Sequence, residues 1–426
     1  MTNHDFGTLL RRYRTSTGLT QQQLADLSTL SVRAIRDLEL GHATRPRRDT
    51  VRLLADGLRL EWSKRVRLEV TAGRHVTDSE LQAAHDGGAI VPPVITRAMV
   101  GRDQEFHTLV DLLRLRRHRW VTVVGLGGVG KSLLAQEVAA TMHRQHRFSV
   151  LWLADNPVDD GTTAGLGSLA SLLSAQLAEL LVKPDFDLGL AAKTVGPRDA
   201  LLVLDGWDRT VPTSRILELL ALLPQLQVLV TKREVGDPGP DLVFPLGPLS
   251  VPSEGDEADL ARLAEVDSVR LLLQHTNQVG PGLNLTPDTA PAIAELCRQL
   301  DGLPDMLTMV GQWSLVYSPG QLSDLVEQDV RTLGGVPDTS EGKAPLEGMD
   351  SAVAALGPDE RRLLENLVEL GGRWSVFDVA EHLGRRVAEV SPDVRRLLLR
   401  GLVRRVETST TVRFSVLNLV RATRLR

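Results

Sequence analysis

RWVTVVGLGGVGKSLLAQEVAA, residues 119–140, is the stretch on which the fold turns. Val121 to Val124 is a short β-branched run, suited to a buried strand. Gly125 to Ser132 reads G-x-x-x-x-G-K-S, and Leu133 to Ala140 continues as a good helix former. Strand, glycine loop and helix N-terminus in that order make a phosphate cradle. Backbone N–H groups of Gly125, Gly127, Gly128, Val129 and Gly130 can approach the phosphates, and the helix dipole adds positive potential. Lys131 would reach the β- and γ-phosphates, the Ser132 hydroxyl would bind Mg²⁺, and Leu133 would follow on the helix beside the nucleotide.

Gly125, Gly127 and Gly130 also spell G-x-G-x-x-G, and Asp155 follows a second strand (Phe148 to Leu153) roughly where a ribose-binding acid would sit. Two features decide for the triphosphate site. Lys131-Ser132 has no role in a dinucleotide site, and a further strand, Leu201 to Leu204, ends in Asp205, as a Mg²⁺-water ligand should.

A chain of 426 residues, 42% hydrophobic, has room for two to four packed domains. No stretch approaches eighteen unbroken apolar residues, and MTNHDFGTLLRR lacks a signal peptide's apolar core. Cys297 is the only cysteine, which excludes an intrachain disulfide and a cysteine zinc site. These features fit the cytoplasm. Net charge is −5, yet residues 1–59 carry ten Arg against six acids. A basic head on an acidic body suggests that only the head meets nucleic acid.

In that head, Phe6, Leu9, Leu10 and Tyr13 form a helical stripe. Thr20 caps a second helix, Gln21 to Leu27, with Gln23 completing a capping box. Ser31 caps a third helix, Val32 to Leu40, and Thr50 is expected to cap a fourth. Two short helices three residues apart match a helix-turn-helix. The phrase GLTQQQLADLSTLSVRAIRDLELG closely resembles the Cro/repressor-like (XRE) DNA-binding family. The resemblance implies that helix 32–40 enters the major groove of double-stranded DNA, with Ser31, Arg33, Arg36 and Asp37 at or near base edges. Arg45, Arg47 and Arg48 then read as phosphate contacts. A small protein-interaction bundle is the alternative.

Residues 61–93 change character and end in an extended Pro-Pro segment, reading as a linker. The segment Val100-Gly101-Arg102 with an acidic helix start, the phosphate loop, LLVLDGWD (201–208), Thr231-Lys232-Arg233 after strand Leu226 to Val230, and Gly302-Leu303-Pro304 fall in the order of the NB-ARC type of STAND switch ATPases. Leu242 to Pro245 is a last short strand. That resemblance implies ATP/ADP with Mg²⁺ as cofactors. It places Val100 and Arg102 at the adenine, Asp205 on the metal, Arg233 at the γ-phosphate and Pro304 on the adenine side. A strand-end surface arginine and an ordinary turn proline are the alternative readings of Arg233 and Pro304. Many relatives carry a second acid directly after the first; here that position is Gly206, and Asp208 is the nearest replacement. Weak ATP hydrolysis, a switch rather than an engine, follows.

Asp267 to Asn277, Pro291 to Leu300 and Gln321 to Leu333 read as helices of a lid, and Gly334 to Gly348 as a loop. Leu363 to Leu370, Val376 to Leu383 and a helix capped by Ser391 precede a hairpin, Leu402 to Val406 with Val412 to Val416. Three helices and a hairpin make a winged helix. Its arginines (Arg395, Arg396, Arg400, Arg404, Arg405) could bind DNA, but the resemblance implies packing on the nucleotide instead. The locking motif of the family falls at Val416-Leu417-Asn418, where its usual histidine and aspartate are replaced.

The expected architecture is multidomain. An all-α helix-turn-helix head (1–66) and a linker (67–94) lead to an α/β P-loop NTPase with a parallel sheet (95–250). A helical lid (251–334) and a C-terminal winged helix (345–426) follow. The expected function is a nucleotide-gated DNA-binding regulator, with no membrane span, self-association in the ATP state, and an unknown activating ligand or protein. An anti-phage or stress-response ATPase of the same build, or a steady DNA-dependent ATPase, are the alternatives.

Overall fold

The computed structural model describes residues 6–43, 46–60, 64–65, 68, 71–72, 90–95, 97–154, 169–182, 187–206, 212–233, 242–279, 283–334, 344–407 and 411–422. The expected second acid, Asp208, the phosphate contact Arg45, and Asp155 of the rival reading lie outside these residues.

The first four helices are α1 (Phe6–Ser16), α2 (Gln21–Ser28), α3 (Val32–Glu39) and α4 (Arg48–Gly57). Next come α5 (Asp103–Arg114), β1 (Trp120–Val124), α6 (Lys131–His146), β2 (Ser149–Ala154), α7 (Leu169–Val182), α8 (Leu188–Val195) and β3 (Ala200–Asp205). They are followed by α9 (Thr213–Leu222), β4 (Leu226–Lys232) and β5 (Leu242–Pro245). An α-helical stretch follows: α10 (Leu260–Glu265), α11 (Asp267–Val279), α12 (Ala290–Gln299), α13 (Pro304–Gln312) and α14 (Pro319–Asp329). The last elements are α15 (Ala344–Ala354), α16 (Pro358–Leu370), α17 (Val376–His382), α18 (Val387–Leu399), β6 (Val403–Glu407), β7 (Val412–Val416) and α19 (Asn418–Ala422).

The chain divides into two compact units. One gathers Met1–Thr96, Leu113–Arg119 and Val138–Leu229; the other gathers Arg97–Leu112, Trp120–Glu137 and Val230–Arg426.

In the first unit, the head buries Phe6, Leu10, Leu24, Ile35 and Leu54 in one core. Thr20 and Gln23 form the capping box, and Thr29 takes the left-handed conformation that ends α2 (φ 56°). Helix α1 approaches α3 so closely that a Cβ on Gly7 would lie 2.3 Å from the Leu38 carbonyl oxygen. Glu39 ties three helices together: it accepts from Arg14 Nε (2.6 Å) and from Gln21 Nε2 (2.7 Å). Thr50 does not cap α4. The helix begins two residues earlier, at Arg48, with Arg47 as its N-cap. Residues 48–50 already have helical geometry, and Asp49 supplies the first-turn acid that the dipole favours.

The strands form a five-stranded sheet in the order β2-β3-β4-β1-β5. β2 runs parallel to β3, with Val150 opposite Leu201, and β1 runs parallel to β5, with Val123 opposite Phe244. All five residues of β1 are buried, as an apolar run in the middle of a parallel sheet requires.

In the second unit the helices run longer or start earlier than their patterns predict. The chain after Gly302 does not stay a turn: Pro304 opens α13, with its missing N–H costing nothing at the first helical position. α14 begins at Pro319 under a Ser318–Gln321 capping box and tightens into a 3₁₀ turn at Val330. The expected loop up to Gly348 becomes α15 from Ala344. Ser391 is not a cap; it lies inside α18, where its hydroxyl donates to the Val387 carbonyl at 2.7 Å. A serine followed by Pro392 mimics a helix start, but Pro392 is accommodated within the helix. The strands β6 and β7 pair antiparallel with Arg405 opposite Phe414. Trp374, buried, exchanges backbone hydrogen bonds with Phe414 and stacks on its ring at 5.5 Å.

Candidate nucleotide site and nucleic-acid interface

The loop between β1 and α6 turns on glycines, with positive φ at Gly128 (78°) and Gly130 (97°). A Cβ on Gly130 would meet nothing within 4 Å, so this side of the loop is open to a ligand at the start of α6. Lys131 Nζ donates to the carbonyls of Gly125 (2.9 Å) and Leu126 (2.8 Å), which hold the ammonium over the loop. Ser132 is exposed on the first turn, Leu133 is half-buried, and Val129 is buried beneath. Glycine backbone, one ammonium, one hydroxyl and a helix N-terminus form a donor set suited to a polyphosphate.

Arg102 fastens the loop from behind. It is buried, donates to the carbonyls of Val129 (3.1 Å) and Gly247 (2.6 Å), and pairs with Glu105 at 2.9 Å. Burial pushes its guanidinium below the ordinary value, with Glu105 and Asp267 acting against that. Its hydrogen bonds go to loop carbonyls. Val100 is half-buried just before it. Pro304 is half-buried at the start of α13, and the next residue, Asp305, donates its N–H to the Gly128 carbonyl at 3.2 Å. Asp205 ends β3 half-buried, and Arg233 follows β4 exposed.

The C-terminal helices and hairpin also reach the loop. Gly401, at the turn from α18 into β6, has φ 75°, and a Cβ there would lie 2.8 Å from the Leu126 amide nitrogen. No L side chain fits that approach, so α18–β6 can seat on the loop only through glycine. A Cβ on Gly127 would meet the α carbon of Gly348, in α15, at 3.4 Å.

The segment expected to carry the locking histidine works differently. Leu417 is fully buried and its amide donates to Leu402 O at 3.2 Å. Asn418 Nδ2 donates to the Arg298 carbonyl (2.8 Å). The joint between the lid helices and the hairpin is made by Asp301, a residue sequence reasoning passed over. Asp301 is fully buried, pairs with Arg404 at 3.3 Å and accepts the Leu419 N–H at 2.9 Å. Burial pushes its carboxyl up to about 6, with Arg404 and the amides of Leu419 and Asn418 pulling the other way. The available signal was an Asp directly before Gly302-Leu303-Pro304: Asp301 sits at φ 54°, a conformation Asp tolerates better than most residues. Cys297 is buried one turn earlier, its thiol pushed up to about 12 by burial, which marks it as an inert core residue.

In the head, α3 presents Arg33 and Arg36 to solvent. Arg33 approaches Asp37 at only 3.9 Å, and Arg36 has no side-chain partner among the described residues. The Ser31 hydroxyl accepts the Ala34 N–H at 3.1 Å, so its first task is capping α3. Asp37 also faces His42 at 3.7 Å. Arg47 is exposed at the α4 N-cap, and Arg48 opens that helix. The C-terminal arginines differ. Arg396 and Arg400 both lie against Glu360 (2.9 and 3.6 Å), and Arg404 is held by Asp301.

Residues 5–68 match the model of a helix-turn-helix domain, and residues 98–232 match that of an AAA ATPase domain. "Putative HTH-type transcriptional regulator Rv0890c" of Mycobacterium tuberculosis is 26% identical over 270 residues, covering 62% of this chain and 28% of that protein. The chain therefore spans under a third of the length of that relative. "Uncharacterized protein Rv0894" of the same species is 24% identical, covering 67% of this chain and 69% of that protein. Among solved structures, a chain of the HORMA:CdnC:Trip13 complex of E. coli MS115-1 overlaps 60% of this chain and 92% of its own at 15% identity. Its TM-score of 0.31 is too low to carry an argument. Among the described residues, no helix is long and apolar enough to cross a membrane. The chain thus joins an N-terminal helix-turn-helix domain to an AAA ATPase domain, and it is homologous to mycobacterial proteins named as HTH-type transcriptional regulators.

Proposed function

We propose that this chain is a DNA-binding regulator gated by adenine nucleotide, a switch of the NB-ARC type. The observation that carries the reading is the seating of Gly401 on Leu126 of the phosphate loop. Leu126 is engaged on both sides: its carbonyl accepts from Lys131 and its amide abuts Gly401. A phosphate that drew the Lys131 ammonium away would release one side of the Leu126 peptide. There is no space on the other side for it to shift without moving α18–β6. A tightly packed contact of this kind responds by switching between two arrangements rather than by yielding gradually.

In this reading Lys131, Ser132 and the loop amides hold ATP or ADP, and Mg²⁺ sits on Ser132 and Asp205. Asp208 and Arg233 act on the γ-phosphate side. Val100, Arg102 and Pro304 shape the base side, Arg102 through the loop carbonyls it fastens. With Gly206 directly after Asp205, hydrolysis is slow. The C-terminal α16–α18 and β6–β7 form a winged helix in which Arg396, Arg400 and Arg404 are spent on Glu360 and Asp301 while Arg395 stays exposed, and the three paired arginines support packing over DNA reading. The head, through Arg33, Arg36 and Asp37 with phosphate contacts from Arg45, Arg47 and Arg48, binds double-stranded DNA. Self-association in the ATP state multiplies these weak contacts.

Lys131→Ala is expected to abolish nucleotide binding, read by fluorescent ADP titration, and to remove any effect of nucleotide on DNA affinity at fixed salt. Unchanged nucleotide binding together with unchanged DNA affinity would sink the proposal.

A further inference from the structure

The entries to β1 and β2 form a basic edge at the amino ends of these strands. The segments entering these strands, 113–119 (LRLRRHR) and 141–148 (TMHRQHRF), hold six arginines and no carboxylate. Arg119 is structural, donating to the carbonyls of Leu220 and Leu226. Arg116 pairs with Asp199. The backbone carbonyl of the same Asp199 accepts the Ser149 N–H at 2.9 Å, so one residue pins both arginine turns to one edge. Arg117, Arg144 and Arg147 are exposed there, with no side-chain partner among the described residues. Arg116 and Arg147 both close a helix in the left-handed conformation (φ 50° and 61°), where glycine is the usual occupant. In a chain of net charge −5, three unpaired arginines on one edge are an electrostatic footprint for a polyanion.

The polyanion is identified by the helix-turn-helix domain that belongs to the same compact unit. The head, 113–119 and 141–148 belong to one compact unit. The chain coming from the head joins β2 at its entry, where Val150 N–H donates to the Ile90 carbonyl at 3.1 Å, three residues after Arg147. We propose that Arg117, Arg144 and Arg147 bind the sugar-phosphate backbone of DNA flanking the stretch read by the head. The edge reads no bases: three guanidiniums, Arg144 on the last turn of α6 and Arg117 and Arg147 after the helix ends, supply charge, which positions the duplex and adds affinity without sequence preference.

The test uses the full chain and two unrelated 40-bp duplexes, with affinity measured by fluorescence anisotropy across a range of KCl concentrations. The variant R117A/R144A/R147G removes the charges and gives residue 147 the glycine its backbone favours. Its salt slope, d log K against d log[KCl], is expected to fall by about 2–3, near one per lost phosphate contact, equally on both duplexes. R117K/R144K/R147K is expected to restore the slope. A control, R362A/R386A, removes exposed arginines of the C-terminal helices and leaves it unchanged. An unchanged slope in the alanine–glycine variant, or an equal fall in the control, overturns the proposal. The comparison with R33A/R36A separates the two surfaces. Loss there but not in the edge variant removes the edge alone; loss in the edge variant but not there removes the head reading and keeps the edge. A wild-type chain that binds neither duplex overturns both.

Discussion

Arginine does opposite work at the two ends of this chain. In the head, Arg33 and Arg36 stand in solvent on α3, with one loose contact to Asp37 between them. In the C-terminal helices and hairpin, Arg396, Arg400 and Arg404 are drawn onto Glu360 and Asp301, both of which are buried. The chemistry of the side chain is the same. A guanidinium already satisfied by an internal carboxylate has little left for a phosphate, whereas an unpaired one keeps its fork of donors for a ligand. Among these five arginines, pairing rather than count marks which are left to meet a ligand.

The comparison breaks first, if it breaks, at Arg404. Arg404→Ala removes the cation that draws the buried Asp301 carboxyl downward, so keeping that carboxylate ionised costs more, and the variant is expected to destabilise the fold by about 3 kcal/mol at pH 7 in a urea melt. The loss should shrink toward pH 5 as the carboxyl takes up a proton. A cost that ignores pH would mean that Arg404 matters through packing alone.

Asp301 itself gives the pH dependence. Its folded value, about 6, lies above the ordinary 3.8, so folding favours the protonated form. The contribution is therefore full below about pH 4 and lost as pH rises through about 6. A shift of this size corresponds to roughly 3 kcal/mol at most. Asp301→Asn should flatten the thermal midpoint between pH 4 and 7 while retaining an acceptor for the Leu419 amide. A wild-type midpoint that shows no such component, or a variant that keeps the slope, would locate the titration elsewhere.

The head should respond in the other currency. Arg36→Ala is expected to weaken specific DNA binding by about 1–3 kcal/mol, the range for a bidentate arginine–guanine pair. Folding stability should stay within about 0.5 kcal/mol, because Arg36 has no side-chain partner among the described residues. Smallest of all is Arg396→Ala. Its side chain is half exposed, so losing Glu360 should cost under about 1 kcal/mol and leave DNA affinity unchanged. A fall in DNA affinity would show that the C-terminal arginines touch DNA as well.

The linear chain by itself determined everything that depends on local spacing. The phosphate loop, the five strands, the Thr20–Gln23 capping box and the two helices flanking Thr29 are set by residues within a few positions of one another. Glycine, cap and β-branched signals act at that range. Local signals also misled where two readings share one pattern. Ser391-Pro392 looks like a helix start but lies inside α18, and Thr50 lies inside the helix it was expected to cap. Only the tertiary structure decided what meets the loop and what holds the lid. Gly401 lies 275 positions beyond Leu126, and Asp301 lies 118 before Leu419. A helix-stop glycine and an aspartate before a turn look ordinary in sequence, because their roles come from atoms brought close by packing: a 2.8 Å approach with no room for a Cβ, and a carboxylate cut off from water. Neither distance nor burial is encoded at any single position, so neither could be read until the chain had folded.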